Sequence, residues 1–575
     1  MLQIKKLYTE PEMIDPVMFE EGLNLILGEK DESSNKTNGV GKSLCIEFIN
    51  FALLKQASDS RVKKIPKAIF SPQTYICLDI VVGNEPITIK RSLQNAERPT
   101  FYLKERIIEF QKLEDATSYL GKKLFDNNDR NSPSFRSMMG PLIRDERSEF
   151  KSLVACYDTS KRIPDDYAPH LYLLGIDIQI YATIKHVINE IDELSKHMKK
   201  IKDDVELLRQ KDINDARSDM NELESEVKEI SRSIDALENI SGYEFVKEDI
   251  IHLEKTLDDL RREKSILRSK YLRSKPIVDA SKIDSGEIRE FYEQMRKGLG
   301  DLIKRELDEV YQFKKKIDDF QNQLIYQRRD EIRKNIGTID SQLDILDQKY
   351  KEKLSVLDQQ GDLKNLKQTY SAYQSKFDEA SQLKAFISKY DELEFQKQRA
   401  KTEKELELLN LQSAIQESNE ILGSLEETIL GAHEFIQGNR KASFEVKPTS
   451  KKQVVEITMR IDDDGSHSVE REKVFIYDIC LLLNDQTSAY HPGFLIHDNI
   501  FDVDQDTLTK SLGYLVNKAR FGIGKQYILT LNADRLENAI VDSELLDLLK
   551  PAVRATYTKV EGRRFIKTKY QEIQK

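Results

Sequence analysis

The sequence predicts an α/β head assembled from both chain ends, with a long antiparallel α-helical coiled coil inserted between them. Three observations predict it: heptad spacing through the middle of the chain, short apolar strands near both ends, and a glycine-containing loop after one N-terminal strand. The composition agrees, since the 575 residues are 33% charged but include only 14 Pro and 23 Gly. Many charges with few helix breakers are typical of long exposed helices.

Charge and cysteine content exclude several function classes. The formal net charge of -10 excludes a uniformly basic nucleic-acid coat and leaves room for local basic patches. The four cysteines lie far apart without a CxxC pair, which predicts a reducing compartment and no zinc site. The N-terminus lacks a signal-type apolar core, and no stretch reaches the roughly 18 apolar residues of a membrane span. We therefore expect a cytoplasmic protein without a membrane partner.

The middle of the chain follows a heptad pattern typical of paired helices. Pro276 and Gly286 interrupt it, so the sequence predicts an outgoing arm over 185–275, a hairpin tip over 276–305 and a returning arm over 306–432. An ordinary amphipathic bundle helix is the alternative, although such helices seldom keep one register this long. The apolar positions are Val187, Ile191, Leu194, Met198, Ile201, Val205, Leu208, then Ala216 to Leu237, Ile250 to Tyr271 and Ile332 to Tyr350.

Two softer breaks divide the arms. Ser241-Gly242 and Gln360-Gly361 lie almost equally far from the midpoint of the hairpin, so they are expected to form one joint. The tip has no CxxC, which excludes a zinc hook. Residues 1–184 and 433–575 then remain as the two halves of the head.

The strongest chemical signal follows the apolar strand Leu23–Gly28. There the sequence Asn38-Gly39-Val40-Gly41-Lys42-Ser43 opens a helix that extends to about Lys55. A phosphate-binding loop needs small residues whose backbone N–H groups wrap the β-phosphate, a lysine for the β/γ-phosphates and a hydroxyl for Mg²⁺. Asn38, Gly39, Gly41, Lys42 and Ser43 meet these needs, although Lys36 replaces the usual first glycine. A chance occurrence is the alternative, which the strand–loop–helix context disfavours.

A second buried strand, Phe494-Leu495-Ile496-His497-Asp498, ends in a carboxylate. A carboxylate at such a strand end holds the Mg²⁺ of a P-loop nucleotide site, so Asp498 and Ser43 are the predicted magnesium ligands and Lys42 a predicted catalytic residue. ATP and Mg²⁺ are the expected ligands.

A phosphate-binding loop and an acidic strand end separated by a hairpin coiled coil resemble the SMC-type ABC ATPases, the class that includes RecN and SbcC. The chain further resembles short bacterial SMC-like ATPases of ABC-three-component and Lamassu-type defence systems. That narrower resemblance depends on Asn38–Ser43, Phe475–Asp478, His497–Asp502 and Tyr527–Asp534.

The resemblance implies an ABC-type head that dimerises with a second copy around two Mg-ATP. It also implies duplex DNA or DNA ends as a partner, together with effector and accessory subunits encoded separately. Asn499 stands where the ABC ATPases carry a glutamate, so hydrolysis is expected to be weak. Asp502 and Asp504 take the place of a D-loop, with a solvated turn as the alternative.

Further site residues are implied by position. The ABC signature falls on Ser468 and Arg471, in a segment that lacks both signature glycines. The switch position falls on Thr530 or Asn532. The Q-loop region contains Arg136, Arg144 and Arg147, for which ordinary surface arginines are an equal alternative.

Basic clusters are the candidate DNA contacts. Arg61, Lys63, Lys64 and Lys67 form one cluster in the N-terminal half, and Arg563, Arg564, Lys567 and Lys569 form another near the C-terminus. Such clusters give salt-sensitive, sequence-independent binding, although solvated surface or partner docking is the commoner reading. Without interleaved aromatic residues they favour duplex over single-stranded DNA.

The residues predict a P-loop ATPase with a coiled-coil insertion, and the resemblance implies that it senses DNA and controls an effector in anti-phage or anti-plasmid defence. A nucleotide-dependent scaffold or switch that does not hydrolyse ATP is the alternative of a different class, favoured by Asn499 and the altered signature. A housekeeping DNA-repair ATPase is a second alternative. A transporter ATPase is excluded, because such domains carry no long coiled-coil insertion.

Overall fold

Residues from both chain ends build one compact unit. In the computed structural model, the head unit comprises Met1–Ile191 and Arg399–Lys575, and the arm unit comprises Asp192–Gln398. The predicted fold class is confirmed: an α/β head from both chain ends with a long coiled-coil insertion. The structure describes residues 1–30, 39–125, 131–159, 165–209, 211–238, 247–274, 301–355, 362–462, 467–501, 503–516, 521, 523–539 and 543–572.

The strands described in the head unit form a five-stranded parallel sheet, a six-stranded antiparallel sheet and the two-stranded antiparallel pair of Ser443–Pro448 with Val455–Arg460. They are β1 (Leu2–Glu10), β2 (Val17–Met18), β3 (Gly22–Gly28), β4 (Tyr75–Val82), β5 (Glu85–Ser92), β6 (Thr100–Leu103), β7 (Ile107–Glu109), β8 (Ile143–Arg144), β9 (Ser443–Pro448), β10 (Val455–Arg460), β11 (Phe494–Asp498), β12 (Gln526–Asn532) and β13 (Val553–Tyr557).

The helices are α1 (Lys42–Ala52), α2 (Leu113–Leu124), α3 (Phe135–Leu142), α4 (Ala168–Leu173), α5 (Ile178–Arg209), α6 (Ile213–Glu238), α7 (Lys247–Arg273), α8 (Asp301–Ser355), α9 (Asp362–Glu417), α10 (Asn419–Gln437), α11 (His467–Leu483), α12 (Gln505–Val516), α13 (Ala533–Ala539) and α14 (Ser543–Leu549). Within the described ranges, no helix is long and apolar enough to cross a membrane.

A parallel sheet carries the candidate site. Its order is β13-β3-β12-β11-β8, so strands from both chain ends are interleaved in it. Strands β3 and β11 are buried along their whole length, as their continuous apolar sequence requires in a sheet covered on both faces. Because all these strands run in one direction, their carboxyl ends open at one edge, where parallel sheets bind ligands.

An antiparallel sheet completes the head. Its order is β2-β1-β4-β5-β6-β7, and β4 and β5 form the hairpin that the Gly83-Asn84 turn predicts. Helix α1 contacts strands of both sheets and buries Phe48 and Phe51 completely. This packing fixes the start of α1 at the open edge of the parallel sheet.

The arm unit contains antiparallel helix pairs. Helix α7 packs Leu257 against Ile339 and Leu343 of α8, and the flanking ion pairs run in opposite chain directions: Asp249–Lys353, Arg261–Asp347 and Lys264–Asp340. Helix α6 pairs with α9 in the same manner, through Arg217–Asp391, Glu224–Lys384 and Glu226–Lys376. Apolar seams flanked by cross-helix ion pairs are what the heptads predict.

The two helix pairs do not follow one another in a straight line. The guanidinium of Arg262 lies 5.6 Å from the Phe377 ring centroid, and that of Arg273 lies 5.6 Å from the Phe386 ring centroid. Helix α7 therefore runs back alongside α9, a contact that the sequence analysis missed. The predicted joint residues 241–242 and 360–361, and most of the predicted tip, lie outside the described residues.

Candidate functional site

The phosphate-binding loop leads directly into α1 at the open edge of the parallel sheet. Gly39 and Gly41 adopt positive φ angles of 81° and 111°, which glycine reaches without the steric cost of a side chain. Gly41 is the N-cap of α1, so the first backbone N–H groups of this helix are available to an anion. Asn38 lies outside the described residues.

Lys42 is buried at the start of α1. Its ammonium group contacts Asn532 Oδ1, at the end of β12, so the predicted switch residue Asn532 holds the lysine. Burial lowers the pKa of Lys42, while the charges of Asp498 and Glu146 act in the opposite direction. A phosphate group bound here would supply the negative charge that stabilises a buried ammonium.

Asp498 ends β11 beneath the loop and is almost fully buried. Thr530 Oγ1 donates to Asp498 Oδ1 over 2.7 Å, and Ser43 is a second hydroxyl hydrogen-bonded to this carboxyl. Burial raises the pKa of Asp498 to about 6, and the hydroxyls only partly offset that rise. The carboxyl and the Ser43 hydroxyl are hard oxygen ligands of the kind Mg²⁺ prefers, so these residues fit the predicted metal.

Asn499 directly follows Asp498 and faces the cavity above the loop. Its backbone N–H donates to Thr530 Oγ1 over 3.0 Å, and its Nδ2 donates to Glu146 Oε1. Glu146 follows β8, which pairs with β11, and it lines the same cavity as Lys42 and Ser43. The sequence analysis named the arginines around Glu146 and missed this carboxylate, although it stands between Arg144 and Arg147.

The C-terminal segment 564–572 forms the other wall of the cavity, which has a volume of about 460 Å³. The Phe565 N–H donates to Val40 O over 3.2 Å, and Arg564 Nη1 donates to Gly39 O over 3.4 Å. Ile566, Thr568 and Tyr570 also line this wall. A cavity of this size is typical of small-ligand sites. No sequence signal had connected this segment with the loop.

We expect Gly41→Ala to weaken ATP binding by roughly one to two orders of magnitude, because the added Cβ would displace the loop from Phe565 and add about 1–3 kcal/mol of backbone strain. A Cβ at this position would lie 2.4 Å from Phe565 Cβ, in addition to requiring φ near 111°. Gly39→Ala is the matched control, since its φ is 81° but no atom lies within 4 Å of the added Cβ. Isothermal titration with ATP would measure both variants. Equal losses of ATP affinity in the two variants would show that the contact with Phe565 does not shape the loop.

A buried charged network supports β8 and β11 from below. Arg144 and Asp478 form an ion pair with N–O distances of 2.6 and 2.9 Å, and Asp478 Oδ2 lies 3.0 Å from His497 Nε2. Burial would raise the pKa of Asp478, but Arg144 and His497 outweigh it and hold the pKa below its ordinary value. Tyr527 OH lies 3.0 Å from His497 Nδ1 and ends the chain of contacts. The alternative that these arginines are ordinary surface residues is therefore wrong for Arg144.

The remaining site predictions meet different outcomes. Arg471 Nη1 donates to Asn499 O over 3.0 Å, so it braces the strand end of its own head; its role toward a second head stays a prediction. Ser468 lies in the first turn of α11, and its side chain is outside the described residues. Asp504 caps α12 by accepting from Thr507 N over 2.9 Å, and Asp502 lies outside the described residues.

The predicted DNA contacts divide into two groups. Arg61 lines the cavity beside the loop and pairs with Glu572 over 2.6 Å, so it belongs to the candidate site. Lys63 and Lys67 are exposed and Lys64 is half-buried. In the second cluster, Lys567 pairs with Asp15 over 2.8 Å.

Comparisons with known proteins agree with this arrangement. A family model described as an AAA domain matches residues 6–241, and one described as an uncharacterised protein conserved in bacteria (DUF2326) matches residues 426–559. The "Uncharacterized protein YydD" of Bacillus subtilis (strain 168) is 22% identical over 550 residues, covering 90% of each chain.

Two solved structures are also similar to this chain. One is the Smc head domain with a coiled coil and joint from Pyrococcus yayanosii, at 13% identity and TM-score 0.35, covering 97% of this chain and 95% of that one. The other is the Smc head domain with an extended coiled coil bound to the C-terminal domain of ScpA, from Pyrococcus furiosus, at 9% identity and TM-score 0.32, covering 94% and 92%.

The chain has the fold of an α/β ABC-type P-loop ATPase head with a long coiled-coil insertion. A loop from the N-terminal half, within the region that matches the AAA domain, and a strand-end carboxylate from the C-terminal half meet in one head.

Proposed function

We propose that the protein binds and hydrolyses Mg-ATP, and that two heads close around two nucleotides. The observation that supports it best is the convergence of Lys42, Ser43, Asn499 and Glu146 at one cavity, with the buried Asp498 hydrogen-bonded to Ser43. Lys42 and the start of α1 would bind the phosphates, while Ser43 and Asp498 would hold Mg²⁺, which neutralises charge on the β- and γ-phosphates. Head closure would then be transmitted to the coiled-coil arms.

We propose duplex DNA or DNA ends as the trigger, and a separately encoded effector as the responder. The exposed Lys63 and Lys67 supply a modest electrostatic footprint for DNA phosphates. The defence role comes from the resemblance to the short bacterial SMC-like ATPases. A neighbouring effector gene would support it, whereas a neighbouring nuclease of the double-strand-break type would support DNA repair.

A nucleotide-dependent switch that does not hydrolyse ATP is the second candidate. It is favoured by Asn499, whose amide can orient water but cannot accept a proton as a carboxylate does. Such a switch would bind ATP and dimerise without turnover.

Steady-state ATP hydrolysis, measured with and without linear duplex DNA, tests the proposal. We expect turnover that DNA stimulates, that rising salt suppresses, and that Lys42→Ala abolishes through loss of phosphate binding. Lys447→Ala is the matched control, because Lys447 is an exposed lysine on β9 that pairs with the nearby Glu445. ATP binding that Lys42→Ala abolishes, without any turnover in the unaltered protein, would instead establish the switch.

A further inference from the structure

The backbone at residue 499 gives a physical reason for the missing glutamate. Asn499 has φ 60°, in the left-handed region, where asparagine is several-fold enriched over most non-glycine residues. A glutamate there would pay a steric cost that asparagine largely avoids by local hydrogen bonding. The position after Asp498 therefore favours an amide, and a carboxylate for the reaction has to come from elsewhere.

The strand next to β11 brings such a carboxylate. Ile143 and Arg144 of β8 pair in parallel with Ile496 and His497 of β11, so the residues that follow both strands leave the sheet at the same edge. Glu146 lies two residues beyond β8 and contacts the Asn499 amide across a sequence separation of 353 residues.

The turn that holds Glu146 is anchored on both sides. Before it, the buried ion pair between Arg144 and Asp478 fixes the end of β8. Within it, Asp145 Oδ1 accepts from Arg147 N over 3.0 Å, and Ser148 Oγ donates to Asp145 O over 2.8 Å. These bonds fix the backbone of the turn, and a fixed backbone helps to pre-position the side chain that it carries.

Glu146 is also electrostatically connected to the centre of the site. Its negative charge acts to raise the pKa of Asp498, where magnesium would bind, and the pKa of Lys42, where the phosphates would bind. Its side chain remains exposed to the cavity, where a water could reach it.

We propose that Glu146 is the catalytic carboxylate of this ATPase, with Asn499 orienting the attacking water; this rests on the hydrolysis proposed above. The water oxygen forms a bond to the γ-phosphorus while the bond from that phosphorus to the β,γ-bridging oxygen breaks, and ADP leaves with the electron pair. The proton of the water passes to the Glu146 carboxylate and then to solvent. Hydrogen bonding of Glu146 and Asn499 to one water would hold it in line for this attack.

Glu146→Gln tests the assignment, because it keeps the size and the hydrogen-bonding reach of the side chain but removes the basic oxygen. We expect kcat to fall at least 100-fold, as for loss of a general base, while the Kd for Mg-ATP changes less than threefold. The variant should also retain ATP after rapid desalting, whereas the unaltered protein retains ADP. Glu149→Gln, three residues along the same segment and paired with Lys151, is the control and should keep full turnover.

Two results would overturn the assignment. One is turnover of the Glu146→Gln variant within threefold of the unaltered protein; the other is a large rise in its Kd for Mg-ATP, which would make Glu146 a binding residue. Both differ from failure of the proposed function, in which the unaltered protein shows no turnover that depends on Lys42.

Discussion

Replacing Asp478 with alanine is expected to destabilise the head by about 3–5 kcal/mol, because it leaves the Arg144 guanidinium charged, buried and without its carboxylate. Both side chains have almost no solvent exposure, and their two N–O contacts of 2.6 and 2.9 Å link β8 to α11. Denaturant unfolding followed by far-ultraviolet circular dichroism would measure the loss, since the protein has no Trp to report by fluorescence.

Two further variants separate the cost of an unpaired charge from the value of the pair. Arg144→Met combined with Asp478→Leu should be less destabilising than Asp478→Ala alone, because an apolar pair leaves no buried charge. Glu445→Ala removes an exposed pair with Lys447 and should cost less than about 1 kcal/mol. If Asp478→Ala lowers the free energy of unfolding as little as Glu445→Ala does, the buried network does not stabilise the head.

The features that could be predicted from sequence are those with a local or periodic signature. The loop from Gly39 to Ser43 shows its chemistry in consecutive residues, and the strand before Asp498 is recognisable by its continuous apolar run. The heptads likewise predicted which faces of α7 and α8 meet, because the 3.5-residue spacing of a packed seam is present in each helix separately.

The features that were missed depend on contacts between residues far apart in the chain. Glu146 meets Asn499 only because β8 joins the sheet beside β11, and nothing in the local sequence specifies that order. The packing of Phe565 against Gly41 and the packing of α7 alongside α9 likewise depend on residues far apart in the chain. An asparagine at the expected glutamate position was visible, but the φ angle that favours it was not.

Replacing Asp498 with asparagine is expected to stabilise the nucleotide-free protein at neutral pH while removing its response to Mg-ATP. The pKa of this carboxyl is raised to about 6, chiefly by burial, from an ordinary value of 3.8. Between these two values the folded state binds more protons than the unfolded state, so stability falls as pH rises through the window from 4 to 6. Above it, ionised Asp498 costs about 2–3 kcal/mol, which an uncharged amide avoids.

Unfolding free energies measured at pH 5 and pH 8 in the presence of a chelator would test this expectation. The variant Asp498→Asn should exceed the unaltered protein in stability by about 2–3 kcal/mol at pH 8 and by clearly less at pH 5. Asp462→Asn is the control, since Asp462 is partly exposed and pairs with Lys441 at the surface. Equal pH dependence in all three proteins would contradict the raised pKa.

Adding Mg-ATP at pH 8 should make the unaltered protein more stable than the Asp498→Asn variant. The unaltered protein gains stability from any ligand that binds only the folded state, by about 2.7 kcal/mol at a hundredfold excess over Kd. Asp498→Asn lacks the charge that holds Mg²⁺ against Ser43 and should gain much less. A carboxylate retained here at the expense of stability is what a metal-binding site requires, because bound magnesium would place a positive charge directly against Asp498.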